Sequence, residues 1–327
     1  MMARSTDLYP VEKVELRWPS VRRVGCGLVN PHATCFMNAS FQALFHLPPV
    51  VAWLEGGHGA GGEPGPFTGK LLRLYAKMQA SPGPVHAKEF CEPGVIGQIC
   101  AGHHTAKMEY AEEWLMGLLG RLHEEAVADA VRGGSAAPEM EYTSFLYRIF
   151  GGKLRNQICC LAEDFTRNVE ERFASLEVEL GEAKTIEEAL ASYTRGERLD
   201  GDNKYRLEHG PGKHDFRMVD ATKRITISQA PNALMVVLKR FPLPDMKDSR
   251  KIKFSATLDV QPYMSEDAEE SGPMRYDLNA VIVHAGETTQ SGHYFTYAKA
   301  ANGMWHLFND ESVQSVRHHS SLHFFFL

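Results

Sequence analysis

Between Phe36 and Phe45 the apolar residues Met37, Phe41, Leu44 and Phe45 recur at three- and four-residue steps. That spacing predicts an amphipathic helix, which Pro48-Pro49 stops. Thr34 stands at its N-cap, so Cys35 falls in the first helical turn, after a turn-rich loop. A second helix is predicted over Leu71–Met78. A third runs from Tyr110 to Ala128, where Ala111, Trp114, Leu115, Leu118, Leu119 and Leu122 keep helical spacing. Gly133 to Pro138 reads as a break between this helical part and a strand-rich remainder.

Beyond the break the pattern changes to period two. Phe173 to Leu180 alternates like a half-buried strand. Thr185 to Tyr193 is a short helix, with Thr185 and Glu188 spaced as a capping box. Lys223–Ile227, Ala233–Phe241 and Tyr276–His284 read as strands, and the nearly apolar Ala233–Leu238 as a central one. His293–Lys299 and Trp305–Asn309 form a hairpin around Asn302-Gly303, and Ser265–Gly272 is an acidic loop.

Composition narrows the classes. The 327 residues are 43% hydrophobic and 23% charged, an ordinary globular balance. The net charge of -6 speaks against a nucleic-acid binder, which carries a basic stripe. No apolar run approaches the roughly 18 residues of a membrane span. The six cysteines are unevenly spread, and Met1 to Ser20 lacks the apolar core of a secretory leader. Free thiols in a reducing compartment, cytoplasm or nucleus, are the expectation, with a monomer and no cofactor.

Two segments carry candidate chemistry. A thiol nucleophile needs thiolate near neutral pH, and a helix N-terminus or a nearby imidazolium favours it. Cys35 has the first. Asn30 upstream can offer its side-chain amide to an oxyanion, together with the Cys35 N–H. In the second segment, His284 and His293 flank a turn containing Gly286 and Gly292. His293 opens a strand, a rigid mount for a general base. A strand pairing back would bring Asn309 beside that imidazole and fix its tautomer. On composition alone the segment reads first as a polar hairpin with surface histidines.

Longer motifs separate these readings. Gly27 to Leu44 resembles the Cys box of the ubiquitin-specific proteases, Gly-Leu-x-Asn-x-Gly-x-Thr-Cys-Phe-x-Asn-(Ala/Ser)-x-Leu-Gln. Tyr276 to Val316 resembles their His box, with Gly292-His293-Tyr294 and Phe308-Asn309-Asp310. Ile149–Arg155, Leu199–Tyr205 and Pro231–Phe241 match internal blocks in the family's order. The resemblance covers about nine-tenths of the chain.

It implies an α+β papain-like fold with a helical thumb (about 25–140) and β-rich fingers and palm (about 141–327), after a lead-in over 1–24. It implies a deubiquitinase, a thiol-dependent ubiquitinyl hydrolase, whose partners are ubiquitin and ubiquitinated proteins. The roles it implies are Cys35 as nucleophile, His293 as base, Asn309 as orienting residue and Asn30 as oxyanion donor. Asp310 would assist the triad or the oxyanion, and His284, Gly292 and Tyr294 would line the channel for the tail.

The chain also departs from the pattern. His32 replaces the glycine of the Cys box. In Met108-Glu109-Tyr110-Ala111-Glu112-Glu113-Trp114, Tyr110 stands where the family has an acid that meets the basic ubiquitin tail. Many relatives hold zinc in the fingers with two Cys-x-x-Cys pairs. Here Cys160 is followed by Glu163, Leu207 and Gly210 at the other ligand positions. Tetrahedral zinc needs four donors, so no metal is expected, and His209 and His214 are read as solvated loop residues. The end, Ser321 to Leu327, departs from the family's closing strand. These departures leave two alternatives beside the active protease: an impaired ubiquitin-binding relative, or a protease for another ubiquitin-like modifier.

Overall fold

The computed structural model describes residues 7–56, 64–103, 109–134, 139–160, 162, 164–208, 216–241, 246–268, 274–288 and 291–316. Met108, Glu163, His209, Gly210, His214 and the terminal run after 316 lie outside them. The chain divides into two compact units.

The first unit comprises Met1–Ile149, Val237–Lys253 and Leu278–Leu327. Its helices include α1 (Cys35–Phe45), α2 (Pro48–Gly56), α3 (Pro66–Ala80), α4 (Lys88–Cys91), α5 (Pro93–Ile99) and α6 (Ala111–Arg132). The predicted α1 is there, but it is not amphipathic in the fold: all of its residues are buried. The donors of its polar side chains go to protein acceptors. Ser40 Oγ donates to Phe36 O at 2.8 Å, and Gln42 Nε2 donates to Cys26 O at 3.0 Å. α6 turns Trp114, Leu115, Leu118, Leu119 and Leu122 inward, as its spacing predicts. The Trp114 ring meets Phe41 edge-on at 5.0 Å and Phe36 at 6.1 Å.

An antiparallel sheet completes this unit. Its strand order is Ala280–Ala285, His293–Lys299, Trp305–Asn309 and Ser312–Val316. The register sets His284 opposite Tyr294 and Ala285 opposite His293. Along the second strand Tyr294, Thr296 and Ala298 are buried in alternation. Thr296 Oγ1 donates to Ala39 O at 2.7 Å, pinning this strand to α1. Within the lead-in Tyr9 is buried, and its N–H donates to Thr143 O at 2.9 Å.

The second unit, Phe150–Val236 and Phe254–Asp277, is mostly sheet. Thr166–Phe173, Gly152–Cys160, Ala221–Gln229 and Glu197–Leu199 lie side by side, all antiparallel. The alternation over Phe173–Leu180 belongs to two strands, one ending at Phe173 and one spanning Leu176–Glu179. The predicted central strand over Ala233–Phe241 shrinks to Val236–Lys239, because apolarity alone does not report hydrogen-bonded pairing. The helix Ile186–Tyr193 begins at Thr185, whose Oγ1 accepts the Glu188 N–H at 3.0 Å. Glu188 Oε2 accepts the Lys184 N–H at 2.7 Å, one residue before the cap.

Of the four positions compared with zinc ligands in the sequence, Cys160 and Leu207 are described; with Ala221 they form a buried cluster flanked by Ile158, Phe165, Leu199, Tyr205 and Val219. Leu207 carries no metal-binding atom, so this donor set does not fit zinc.

Candidate active site

α1 and the second strand of the first sheet meet at Cys35. The thiol sits at the first position of α1 and is 3% exposed. The backbone N–H of Tyr294, in the peptide group that follows His293, lies near enough to the sulfur to favour its charged form. Burial pushes the Cys35 thiol up from its ordinary value, and the Asp310 carboxylate adds to the rise. The N–H groups of Tyr294, Phe36 and Cys35 pull it back. Burial is the largest influence, so the resting group is a thiol, not the thiolate that the helix position alone suggests.

His293 Nε2 and Asn309 Oδ1 are 2.6 Å apart. An amide oxygen only accepts, so the shared proton sits on Nε2 and Nδ1 carries the lone pair. Asp310 follows Asn309 in the turn to Ser312–Val316, with φ of 47°, a conformation that costs a non-glycine residue energy. That turn is held from outside. Leu28 N donates to Asp310 O at 2.8 Å, and Gly27 packs against the same two-residue turn. A Cβ on Gly27 would lie 2.6 Å from Asp310 O and closer still to the Glu311 carbonyl. Glycine is required there for close approach, not for an unusual φ.

Among the described residues, three side-chain nitrogens lie close to the Asp310 carboxylate. Asn30 Nδ2 donates to Oδ2 at 2.9 Å, Asn38 Nδ2 donates to Oδ1 at 2.9 Å, and His293 Nε2 is 3.8 Å from Oδ2. Asn30 Oδ1 accepts from Thr34 N at 2.9 Å and from Thr34 Oγ1 at 3.1 Å. The Thr34 side chain therefore braces the loop, and it does not cap α1. One proton of the Asn30 amide is committed to Asp310, and the group has a second.

The residues expected along the channel form an aromatic row. Tyr110 meets Phe241 at 6.0 Å, Phe241 meets His284 at 6.0 Å, and His284 meets Tyr294 at 4.7 Å. Tyr110 is 39% exposed, whereas His284 and Tyr294 are buried behind it. Gly292 lies against His284: a Cβ there would fall 2.6 Å from Ala285 O and nearer still to His284 Nε2. Lys247 Nζ donates to His284 Nδ1 at 3.1 Å, to His284 O at 2.7 Å and to Gly286 O at 3.1 Å. All three ammonium protons are used, and Nδ1 of His284 is thereby an acceptor. Burial, then Lys247, then His293 push His284 down to about 4, so it is neutral near pH 7. Burial also lowers Lys247.

Sequence reading singled out neither Asn38 nor Lys247 for a role. Asn38 fills a fixed position of the Cys box, three residues after Cys35, but the motif does not say what its side chain contacts. Lys247 lies in an irregular segment, and only the fold brings it to His284.

A family model described as "Ubiquitin carboxyl-terminal hydrolase" matches residues 26–324. The chain belongs to the ubiquitin carboxyl-terminal hydrolase family. Within that family it is 32% identical over 310 residues to mouse ubiquitin carboxyl-terminal hydrolase 17-like protein D, covering 94% of this chain and 55% of that protein. It is 31% identical to human ubiquitin carboxyl-terminal hydrolase 42, over 94% of this chain and 23% of the relative. The chain thus spans about half the length of the mouse relative. Among solved structures, the SAGA Ubp8/Sgf11/Sus1/Sgf73 DUB module bound to ubiquitin aldehyde aligns with a TM-score of 0.73 at 22% identity. That match covers 94% of this chain and 69% of the other. A structure of the module bound to monoubiquitin aligns with a TM-score of 0.71 at 22% identity, over 90% of this chain and 66% of that one. The α+β, papain-like fold expected for this hydrolase family is the one observed.

Proposed function

We propose that the chain is a cysteine-type deubiquitinase, hydrolysing the bond between the C-terminal glycine of ubiquitin and an amine. One arrangement carries the reading: His293 is hydrogen-bonded to Asn309 at 2.6 Å, and the strand it opens is tied by Thr296 Oγ1 to Ala39 O, at 2.7 Å, in the helix that Cys35 begins.

The chemistry follows from the protonation states. Asn309 keeps the His293 proton on Nε2, which leaves Nδ1 as the base. As the buried thiol attacks the glycine carbonyl, its proton moves to Nδ1, so nucleophile and base act together. The carbonyl oxygen becomes an oxyanion. The Cys35 N–H at the start of α1 and the second proton of the Asn30 amide are the donors for it. Collapse breaks the C–N bond, and the leaving amine takes the proton from His293. Water, deprotonated by the same nitrogen, then hydrolyses the thioester and frees Cys35. The close approach of Gly292 to His284 suits a tail that ends in glycines. Tyr110 offers that tail an aromatic face where relatives offer an acid.

The test is reaction with ubiquitin carrying a C-terminal thiol-reactive group. A single adduct at Cys35, absent in Cys35→Ser, is expected. No adduct, an adduct on another cysteine, or faster reaction with a probe of another ubiquitin-like modifier overturns the reading.

A further inference from the structure

Asn38 is a polar residue in the buried helix that bears the nucleophile, 3% exposed and three residues after Cys35. Its amide nitrogen faces only acceptors: Asp310 Oδ1 at 2.9 Å, with Leu28 O and Val29 O both at 3.4 Å. Its own oxygen has no partner among the described residues. A buried amide that leaves one atom unpaired loses roughly the strength of a hydrogen bond. The other end must therefore matter more, and that end is the Asp310 carboxylate.

Asp310 sits in a strained turn, and Asn38 and Asn30 each hold one of its carboxylate oxygens. Asn38 takes Oδ1, which aims Oδ2 at Asn30 Nδ2, 2.9 Å away, and leaves it 3.8 Å from His293 Nε2. Asn30 in turn holds Thr34, the residue before Cys35. The line Asn38–Asp310–Asn30–Thr34 therefore starts in α1 and returns to it, closing around the thiol.

We infer that Asn38 is a positioning residue: from within the nucleophile's helix it fixes the Asp310 carboxylate in the one pose that serves both the Asn30 amide and the His293 ring. The inference rests on the protease reading for its consequence in turnover. Its geometric content stands apart from it. Asn38 does not reach the reacting atoms. It acts through Asp310, first on the oxyanion donor and second on the charge beside the base.

The test separates positioning from mere stability. Asn38→Leu keeps the volume and removes the donor. Loss of a charge-assisted bond at this point should lower kcat on a fluorogenic ubiquitin amide on the order of ten- to a hundredfold, with KM moved less than about threefold. The exchange Asn38→Asp with Asp310→Asn re-forms a bond between the two positions and should recover the melting temperature. It moves the carboxylate onto α1 and should leave kcat low. Recovery of both together would reduce Asn38 to a structural role and overturn the inference, as would wild-type kcat in Asn38→Leu.

A second readout does not depend on ubiquitin. The pH profile of Cys35 alkylation by iodoacetamide follows the thiol and the charges around it, and Asn38→Leu should displace it. A wild-type chain inert to ubiquitin but with a displaced profile in the variant would sink the protease reading and leave the positioning intact. An unmoved profile would sink the positioning itself.

Discussion

Gly27→Ala places one methyl group where the structure has no room for it. The new Cβ would lie 2.6 Å from Asp310 O and nearer to the Glu311 carbonyl, all backbone atoms that no rotamer change can move. To regain ordinary contact the 27–28 segment or the Asp310–Glu311 turn must withdraw by roughly 1 Å. Overpacking of this kind costs about 1–3 kcal/mol. The Leu28 N–H to Asp310 O bond, 2.8 Å long, is the first casualty, and an orphaned buried N–H costs about 1–3 kcal/mol more. For a chain of this size the sum, about 2–6 kcal/mol, corresponds to a fall in Tm of about 3–9 °C. The same displacement shifts the Asp310 carboxylate away from Asn30 and His293, and a misplacement near 1 Å costs catalysis about a hundredfold. The assay pairs a thermal melt with kcat/KM on a fluorogenic ubiquitin amide. Gly94→Ala is the control, since it lies in helix α5 with nothing within 4 Å of the added methyl. Gly27→Ala with unchanged Tm and kcat would refute the account of the turn.

Four further outcomes are expected. His293→Ala should abolish turnover, whereas Asn309→Ala should cost less because it removes orientation and not the base; kinetics of the double variant should show non-additive losses. His46 is buried, its Nδ1 is 2.7 Å from Gln42 O, and burial holds it down to about 4. The unfolded chain therefore binds this proton below about 6.5 and the folded chain does not. Stability is whole above that pH and declines by about 3 kcal/mol as pH falls to 4, and urea melts of His46→Leu should show a shallower decline. Lys247→Met removes a cation that lowers His284. Histidine-labelled NMR should then show His284 titrating closer to its ordinary value and losing its fixed tautomer, and an unmoved titration would contradict this. In the second unit, Leu207 is buried beside Cys160. Leu207→Ala should cost about 2–4 kcal/mol in a urea melt, while a chelator should leave the wild-type melt unchanged.

The apolar steps of the sequence were enough to find α1, α6 and the His293–Asn309 hairpin, because side-chain burial imposes periods of 3.6 and 2 directly on the chain. The motifs around Cys35 and His293 were legible for the same local reason: each is a contiguous segment with its own turn chemistry. Local pattern could not report pairing in space. It read α1 as amphipathic, yet Asn38 and Gln42 are buried and bonded, a fact that depends on Asp310 and Cys26 reaching them. It placed Cys35 under a helix dipole, yet burial outweighs that influence and keeps the thiol protonated. The Ala233–Phe241 run lost most of its strand because hydrogen-bonded partners, not apolarity, define one. Sequence thus determined that a cysteine, a histidine and an asparagine stand at positions 35, 293 and 309. Tertiary structure alone decided that Asp310 ties Asn30 and Asn38 together and that Lys247 sets the state of His284. Those contacts join positions 37 to 280 residues apart, and no periodicity within one element encodes them.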